Sequence, residues 1–197
     1  MDRFRGFIAG IGTASGTRLV VGHWLESPFG PFTDVMAENA SGSRMLLAPT
    51  PDIAEYVGGT YRFDAVDVGD VEARLTPHQL LVSAGPLRLN AELGGRTVLG
   101  QLLERIPVAL AEHPRWLGAI NPVAGILVPG VRTAGSAGGG RREYYGVRSI
   151  RAVTGAHASW DGRDLGGLTP IDPPVRFGFS SVPPKPQIVA VTTSILP

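Results

Sequence analysis

The sequence predicts a β-dominated α+β domain, a barrel-like antiparallel sheet with two flanking helices. Three observations carry that prediction. Its 27 glycines and 17 prolines cut the 197 residues into short segments of strand length. Several of those segments alternate apolar and polar residues with period two. Only two stretches carry helix signals. At this length one core suffices, and the chain from 1 to 197 reads as a single domain without internal repeat or linker.

Taken in order, Phe4 to Thr13 and Thr17 to Trp24 flank Ala14-Ser15-Gly16 and predict a hairpin. Phe32 to Glu38 and Arg44 to Ala48, either side of Ser41-Gly42-Ser43, predict another. Thr50 as N-cap, Pro51 at the first helical position, Asp52 in the first turn and Gly58-Gly59 beyond predict a short helix over Pro51 to Val57. Strands follow at Thr60 to Val68, Val71 to Leu75 and Leu80 to Leu93. Leu99, Leu102, Leu103, Ile106 and Leu110 recur at helical spacing, so Val98 to Glu112 is expected to be the longest helix, kinked at Pro107. Glu143 to Trp160 alternates as one long strand bent at Gly155, or two strands, and Val175 to Ser180 and Ile188 to Ile195 close the sheet.

Composition narrows the function classes. Net charge is +1 and the arginines are scattered, which argues against a nucleic-acid partner. Arg141 and Arg142 follow a glycine run and read as a solvated loop rather than a phosphate site. Cysteine is absent, which removes disulfides, thiolate nucleophiles and Cys-ligated metals and fits a cytoplasmic location. Phe7 to Ile11, after Arg3 and Arg5, is too short and glycine-broken for a signal peptide. The longest charge-free run, Trp116 to Val131, is shorter than a membrane span and contains Pro122 and Pro129, so no membrane association is expected and the run reads as buried protein or a pocket wall.

Familiar motifs fail on context. Gly10-Ile11-Gly12-Thr13-Ala14-Ser15-Gly16 is followed by strand-like Thr17 to Val21 rather than by a helix that would receive a phosphate. Ala134-Gly135-Ser136-Ala137-Gly138 approximates a nucleophile elbow, but the glycines after it do not start a helix. His23, His78, His113 and His157 never fall at metal-ligand spacing, and no metal or cofactor is expected. His23 shares strand parity with Leu19 and Val21 and reads as a hydrogen-bonded core histidine.

The candidates for chemistry are few. Asp34 shares parity with Phe32 and Met36, which places a carboxylate on an apolar face; the opposite reading puts Thr33, Val35 and Ala37 inside and Asp34 in water. Arg132 ends the charge-free run with no local acid, which suits a carboxylate ligand or a distant ion pair. Lys185, the sole lysine, lies in Pro183-Pro184-Lys185-Pro186, a stiff exposed turn unsuited to imine chemistry.

Ser27-Pro28-Phe29-Gly30-Pro31-Phe32-Thr33-Asp34-Val35-Met36 resembles the acetoacetate decarboxylase family, in which a Gly-Pro-aromatic turn leads into a strand carrying an acid; Asp34 stands where that family usually has Glu. Thr50 to Gly58 resembles the short helix preceding the family's catalytic lysine, and Ile150 to Gly162 resembles a late strand ending in Trp-x-Gly. The resemblance covers roughly a third of the chain. It implies an antiparallel barrel enclosing a small-molecule cavity with helices outside. It also exposes a departure, because Gly59-Thr60-Tyr61-Arg62-Phe63-Asp64 contains no lysine.

The leading expectation is therefore a barrel that binds a small anionic or carbonyl-bearing molecule, as a lysine-independent enzyme or a binding protein. Catalytic candidates are Asp34, Arg132 and Glu143, with Arg132 holding a carboxylate or polarising a carbonyl and Asp34 or Glu143 moving a proton. Ligand-binding candidates are Trp24, Tyr145 and Trp160. The rival is a barrel that binds an apolar or lipid-like ligand without catalysis, drawing on the charge-free run, Trp24 and Trp160. A homodimer is expected, paired through an edge such as Val175 to Phe179.

Overall fold

The computed structural model describes residues 1–107, 134–136, 140–178 and 181–196. Strands dominate it. β1 (Asp2–Thr13), β2 (Arg18–Glu26), β3 (Phe32–Glu38) and β4 (Arg44–Ala48) form successive antiparallel pairs. Helix α1 (Pro51–Thr60) crosses to β5 (Ala65–Val68), which runs parallel to β4 and is the departure from an all-antiparallel ladder. Next come β6 (Val71–Leu75), β7 (Gln79–Ala84), β8 (Leu87–Arg96) and helix α2 (Val98–Leu103). The remaining described strands are β9 (Ala134–Ser136), β10 (Arg142–Trp160), the two-residue β11 (Arg163–Asp164) and β12 (Leu168–Thr169), and β13 (Gln187–Leu196).

The sheet runs β5-β4-β3-β2-β1-β13-β10-β8-β7-β6 and curls until β6 approaches β3. Its two edge strands, β5 and β6, are consecutive in the chain and joined through Gly69 and Asp70. Gly69 N–H bonds to Ala48 C=O and Gly85 N–H to Asp70 C=O, so the join is tied to both halves. β10 belongs to both halves as well, pairing with β13 and then with β8, and register shifts at Val147/Ser149, Arg151/Val153 and Val153/Gly155 let so long a strand bend.

Inside the curl, Ile188, Ala9, Val21, Val35 and Leu47 form one row across five strands. They join Leu80, Val82, Leu87, Leu89, Leu93 and Val153 in the main core. Each fully buried aliphatic side chain there stabilises the fold by about 1.5–3 kcal/mol. The outer face of the β4-to-β10 half is covered too. Ile53, Ala54 and Val57 of α1 seal Leu46 and Ala48, and Ile171, Val175 and Phe177 seal Val20. With apolar cover on both sides, alternation in β3 disappears: Thr33, Asp34, Val35, Ala37 and Glu38 are all buried.

Several expectations are corrected. Leu80 to Leu93 is two strands, because Gly85 at φ +47 and Pro86 make a tight turn. The Thr60 to Val68 strand shrinks to Ala65–Val68, since α1 runs on through Gly58 and Gly59 to Thr60. Val175 to Gly178 is no strand. There the Arg176 N–H bonds to Glu38 Oε2 instead of a ladder carbonyl, and Val175 and Phe177 point into the outer core, so this segment offers no free edge for a dimer. Residues 179 and 180 lie outside the described part.

α2 is capped by Thr97, whose Oγ1 accepts from Gly100 N–H, and ends at Leu103, earlier than the predicted Glu112. Glu104 to Ile106 form a turn ahead of Pro107, which disfavours helical backbone before it; residues 108–112 lie outside the described part. Gly100 sits against the Ile150 backbone, where a Cβ would lie 2.5 Å from Ile150 O.

Candidate functional site

Register places the polar residues that matter on the outer face. Glu143 lies opposite Ile195, which lies opposite Asp2; Tyr145 lies opposite Thr193, which lies opposite Phe4. On the same face, Trp24 lies opposite Phe32, and Gly22 opposite Asp34. α1 and the residues after it roof this surface. α1 ends at Tyr61, whose backbone turns extended while its N–H bonds to Val57 C=O. The next amide, Arg62 N–H, bonds to Phe177 C=O, and this fixes the direction in which the Tyr61 ring leaves the helix. The ring rests on Gly178, where a Cβ would come within 2.8 Å of Tyr61 Cδ1.

Tyr61 thereby reaches Glu143. Its hydroxyl donates to Glu143 Oε1 at 2.6 Å and lies 2.8 Å from the Tyr145 hydroxyl. Either phenol can serve as the donor in the second bond. Glu143 is 0% exposed. Its Oε2, and the nearby Thr193 Oγ1, have no hydrogen-bond partner among the described residues. Burial raises the Glu143 carboxyl from its ordinary 4.5 to about 7, against the opposing effect of the tyrosine hydroxyls. Burial and then the charge of Glu143 hold both tyrosines well above the ordinary phenol value, so both stay protonated donors.

Beside this cluster Tyr56 Oη donates to Asp2 Oδ2 at 2.8 Å, and burial followed by that bond raises the phenol. The Arg141 guanidinium lies 4.9 Å over the Tyr56 ring, and its NH1 donates to Thr60 Oγ1 at 3.4 Å. Arg141 is half-buried and Arg142 exposed, so the pair read from sequence as a solvated loop divides between two environments.

Asp34 satisfies half of each reading: Val35 and Ala37 face the main core, yet Asp34 is buried on the outer face. It is 3% exposed on the side of Phe32 and Met36, and Trp24 Nε1 donates to its Oδ1 at 3.0 Å. Burial raises it from the ordinary 3.8 to about 7, the Trp24 bond opposing. Gly22 makes room for the pair, since a Cβ there would lie 2.5 Å from Asp34 Oδ1. Asp34 sits in the row of Ile8 and Glu143 in the row of Asp2. Six residues along a strand is roughly 20 Å, so the two acids do not act on one proton. Edge-on aromatic contacts, Trp24 to Phe4 at 5.6 Å and Phe4 to Tyr56 at 5.5 Å, bridge the interval.

Of the remaining candidates, Trp160 ends β10 at the opposite extremity from Tyr145, opposite Leu87 and packed on the main core, so it shares no site with Trp24. Arg132 and the run Trp116 to Val131 lie outside the described residues. His23 Nδ1 lies 2.9 Å from Thr33 Oγ1, and burial lowers its pKa. Lys185 is exposed at a bend. Among the described residues no group of side chains is placed to hold a metal ion, and no helix is long and apolar enough to cross a membrane. Sequence reasoning found Glu143 and Tyr145 but missed Tyr61, Tyr56, Thr193 and Arg141. Only the i, i+4 pair Tyr56 and Thr60 hinted that α1 presents polar groups to the sheet.

No family model and no curated protein matches the chain. Among solved structures, acetoacetate decarboxylase from Legionella pneumophila subsp. pneumophila str. Philadelphia 1 is similar over 100% of this chain and 84% of its own, at 11% identity and a TM-score of 0.43. That likeness concerns the fold alone.

Proposed function

We propose that the chain binds a small anionic or carbonyl-bearing molecule beneath α1, at Glu143, Tyr61 and Tyr145, and that Glu143 moves a proton to or from it. The observation that supports this reading is a fully buried carboxyl with one oxygen held by Tyr61 and the other unpartnered among the described residues. A buried polar atom left without a partner costs about 1–3 kcal/mol, a cost that a ligand atom at Oε2 would remove. A carboxyl raised to about 7 exchanges its proton near neutrality, the condition for general acid and base work. Protonated, Glu143 donates to a ligand carbonyl oxygen. Ionised, it accepts a proton from a ligand hydroxyl or from carbon next to a carbonyl.

The reading needs no amine nucleophile, in keeping with the missing lysine after α1. Thermal shift and tryptophan fluorescence with small oxo acids, hydroxy acids and fatty acids would test it. Stabilisation by the first two classes, lost in Glu143→Gln, supports the proposal. A response to fatty acids alone favours the rival, non-catalytic binding of an apolar ligand, and no response to any class overturns the site.

A further inference from the structure

Among the described residues the buried or half-buried arginines are mostly consumed by acids and carbonyls. Arg18 is held by Glu38 Oε1 and by the carbonyls of Asn39 and Pro173, Arg44 by Asp64, and Arg151 by the carbonyls of Pro77, Leu93 and Gly94. Arg141 differs. Its contacts there are the face of Tyr56 and one long bond to Thr60 Oγ1. Thr60 gives its own proton to Tyr56 C=O, so it serves Arg141 only as an acceptor. The Asp2 carboxylate accepts from the Tyr56 hydroxyl at its Oδ2. A guanidinium has five donors, and most of these are uncommitted among the described residues.

Its position gives that surplus a direction. Arg141 stands two residues before Glu143 on the approach to β10, and the two act with opposite sign on the Tyr56 hydroxyl. Among the described residues no bond joins Glu143 to the guanidinium: its bound oxygen belongs to Tyr61, and the carboxyl, raised to about 7, is only partly ionised near neutrality. The Tyr56 ring, 4.9 Å below Cζ, restrains the guanidinium, and a guanidinium fork suits a carboxylate taken through two parallel bonds.

We propose that Arg141 is the anion-recognising residue of this site, and that the ligand is a small carboxylate whose acid group it grips while the ligand's other polar atoms face Glu143 Oε2 and Thr193 Oγ1. This rests on the reading of the Glu143 cluster as a binding site and deepens it: the ligand carries both a negative charge and a second polar group. Arg141 is thus a specificity residue, and Tyr56 is the platform that orients it.

The test is calorimetric titration with matched pairs, three- to five-carbon oxo and hydroxy acids and their methyl esters, against wild type, Arg141→Gln, Arg141→Lys and Glu143→Gln. Wild type should prefer each acid over its ester by about tenfold or more, as expected for a charged bidentate bond. Arg141→Gln should abolish that preference while leaving ester affinity within a few-fold, and Arg141→Lys should restore only part of it. Glu143→Gln should weaken acid and ester alike. Unfolding curves of the Arg141 variants establish that they are folded. Equal affinity for acid and ester in wild type, or a preference that survives Arg141→Gln, overturns the role of Arg141 and leaves the site standing. Absence of binding by every pair in wild type overturns both.

Discussion

Glu143→Gln keeps the shape of the side chain and an acceptor for Tyr61 but removes the ionisation. The carboxyl moves from 4.5 to about 7 on folding, which corresponds to about 3 kcal/mol of differential stability. The sign follows from proton counting. Between these values the folded chain binds more protons at this site than the unfolded chain, so stability falls as pH rises. Its contribution is fully present below pH 4.5, is lost progressively up to about pH 7, and is flat above. The Glu143→Gln variant has no such slope. Urea unfolding of wild type and variant at pH 4.5, 6, 7 and 8 should show a stability difference that shifts in the variant's favour by about 3 kcal/mol across the series, or roughly 6–12 °C in Tm for a chain of this size. Asp34 is present in both proteins and cancels. Parallel stability curves for the two proteins would refute the assignment of a buried, proton-binding Glu143.

Asp34→Asn preserves the acceptor for Trp24 Nε1 and should remove a second slope of the same sign, about 4 kcal/mol between pH 3.8 and about 7; with the two acids far apart, the double variant should be additive by urea unfolding. Arg18→Met strands Glu38 in a pair whose side chains are only 3% and 4% exposed, and should cost about 3–5 kcal/mol by the same assay. It should also speed hydrogen exchange at the Arg176 amide, which Glu38 holds. Borohydride added with oxo acids should leave the intact mass unchanged, since Lys185 is exposed at a bend; a stable adduct there would end the lysine-independent reading. Light scattering at micromolar concentration should give a dimer, with β5 as the edge: all four of its residues are exposed, Val66 and Val68 at 50% and 43%. A clean monomer contradicts it.

Much of the fold was legible because its signals are local. Phe32 to Glu38, Arg44 to Ala48 and Val71 to Leu75 were bounded correctly by turn residues. The hairpin inside Leu80 to Leu93 was written in the sequence as a change of parity. Leu80, Val82 and Ala84 are buried at even positions, and Leu87, Leu89, Ala91 and Leu93 at odd ones, because a two-residue turn brings Ala84 opposite Leu87. Val175 and Phe177 misled because period two describes side chains facing an apolar surface, whether or not the backbone enters a ladder. The site was half legible. Glu143 and Tyr145 share a strand face, which alternation reveals, but Tyr61 arrives from the far end of a helix 82 positions away, and nothing local encodes that meeting.

The antiparallel pairing of β1 with β13 bears on how the chain comes to fold. These are the first and last of the described strands, yet they lie side by side near the middle of the sheet, with Asp2 opposite Ile195. As the chain leaves the ribosome, β1 can pair with β2 at once, while its other edge stays open until the final strand has emerged. The outer-face rows that cross from β1 to β10, including the one that sets Phe4 beside Thr193 and Tyr145, are assembled only then. So long a loop closure predicts slow refolding. It also makes the nascent β1–β4 meander, with its unpaired edge, the species most prone to associate with others of its kind.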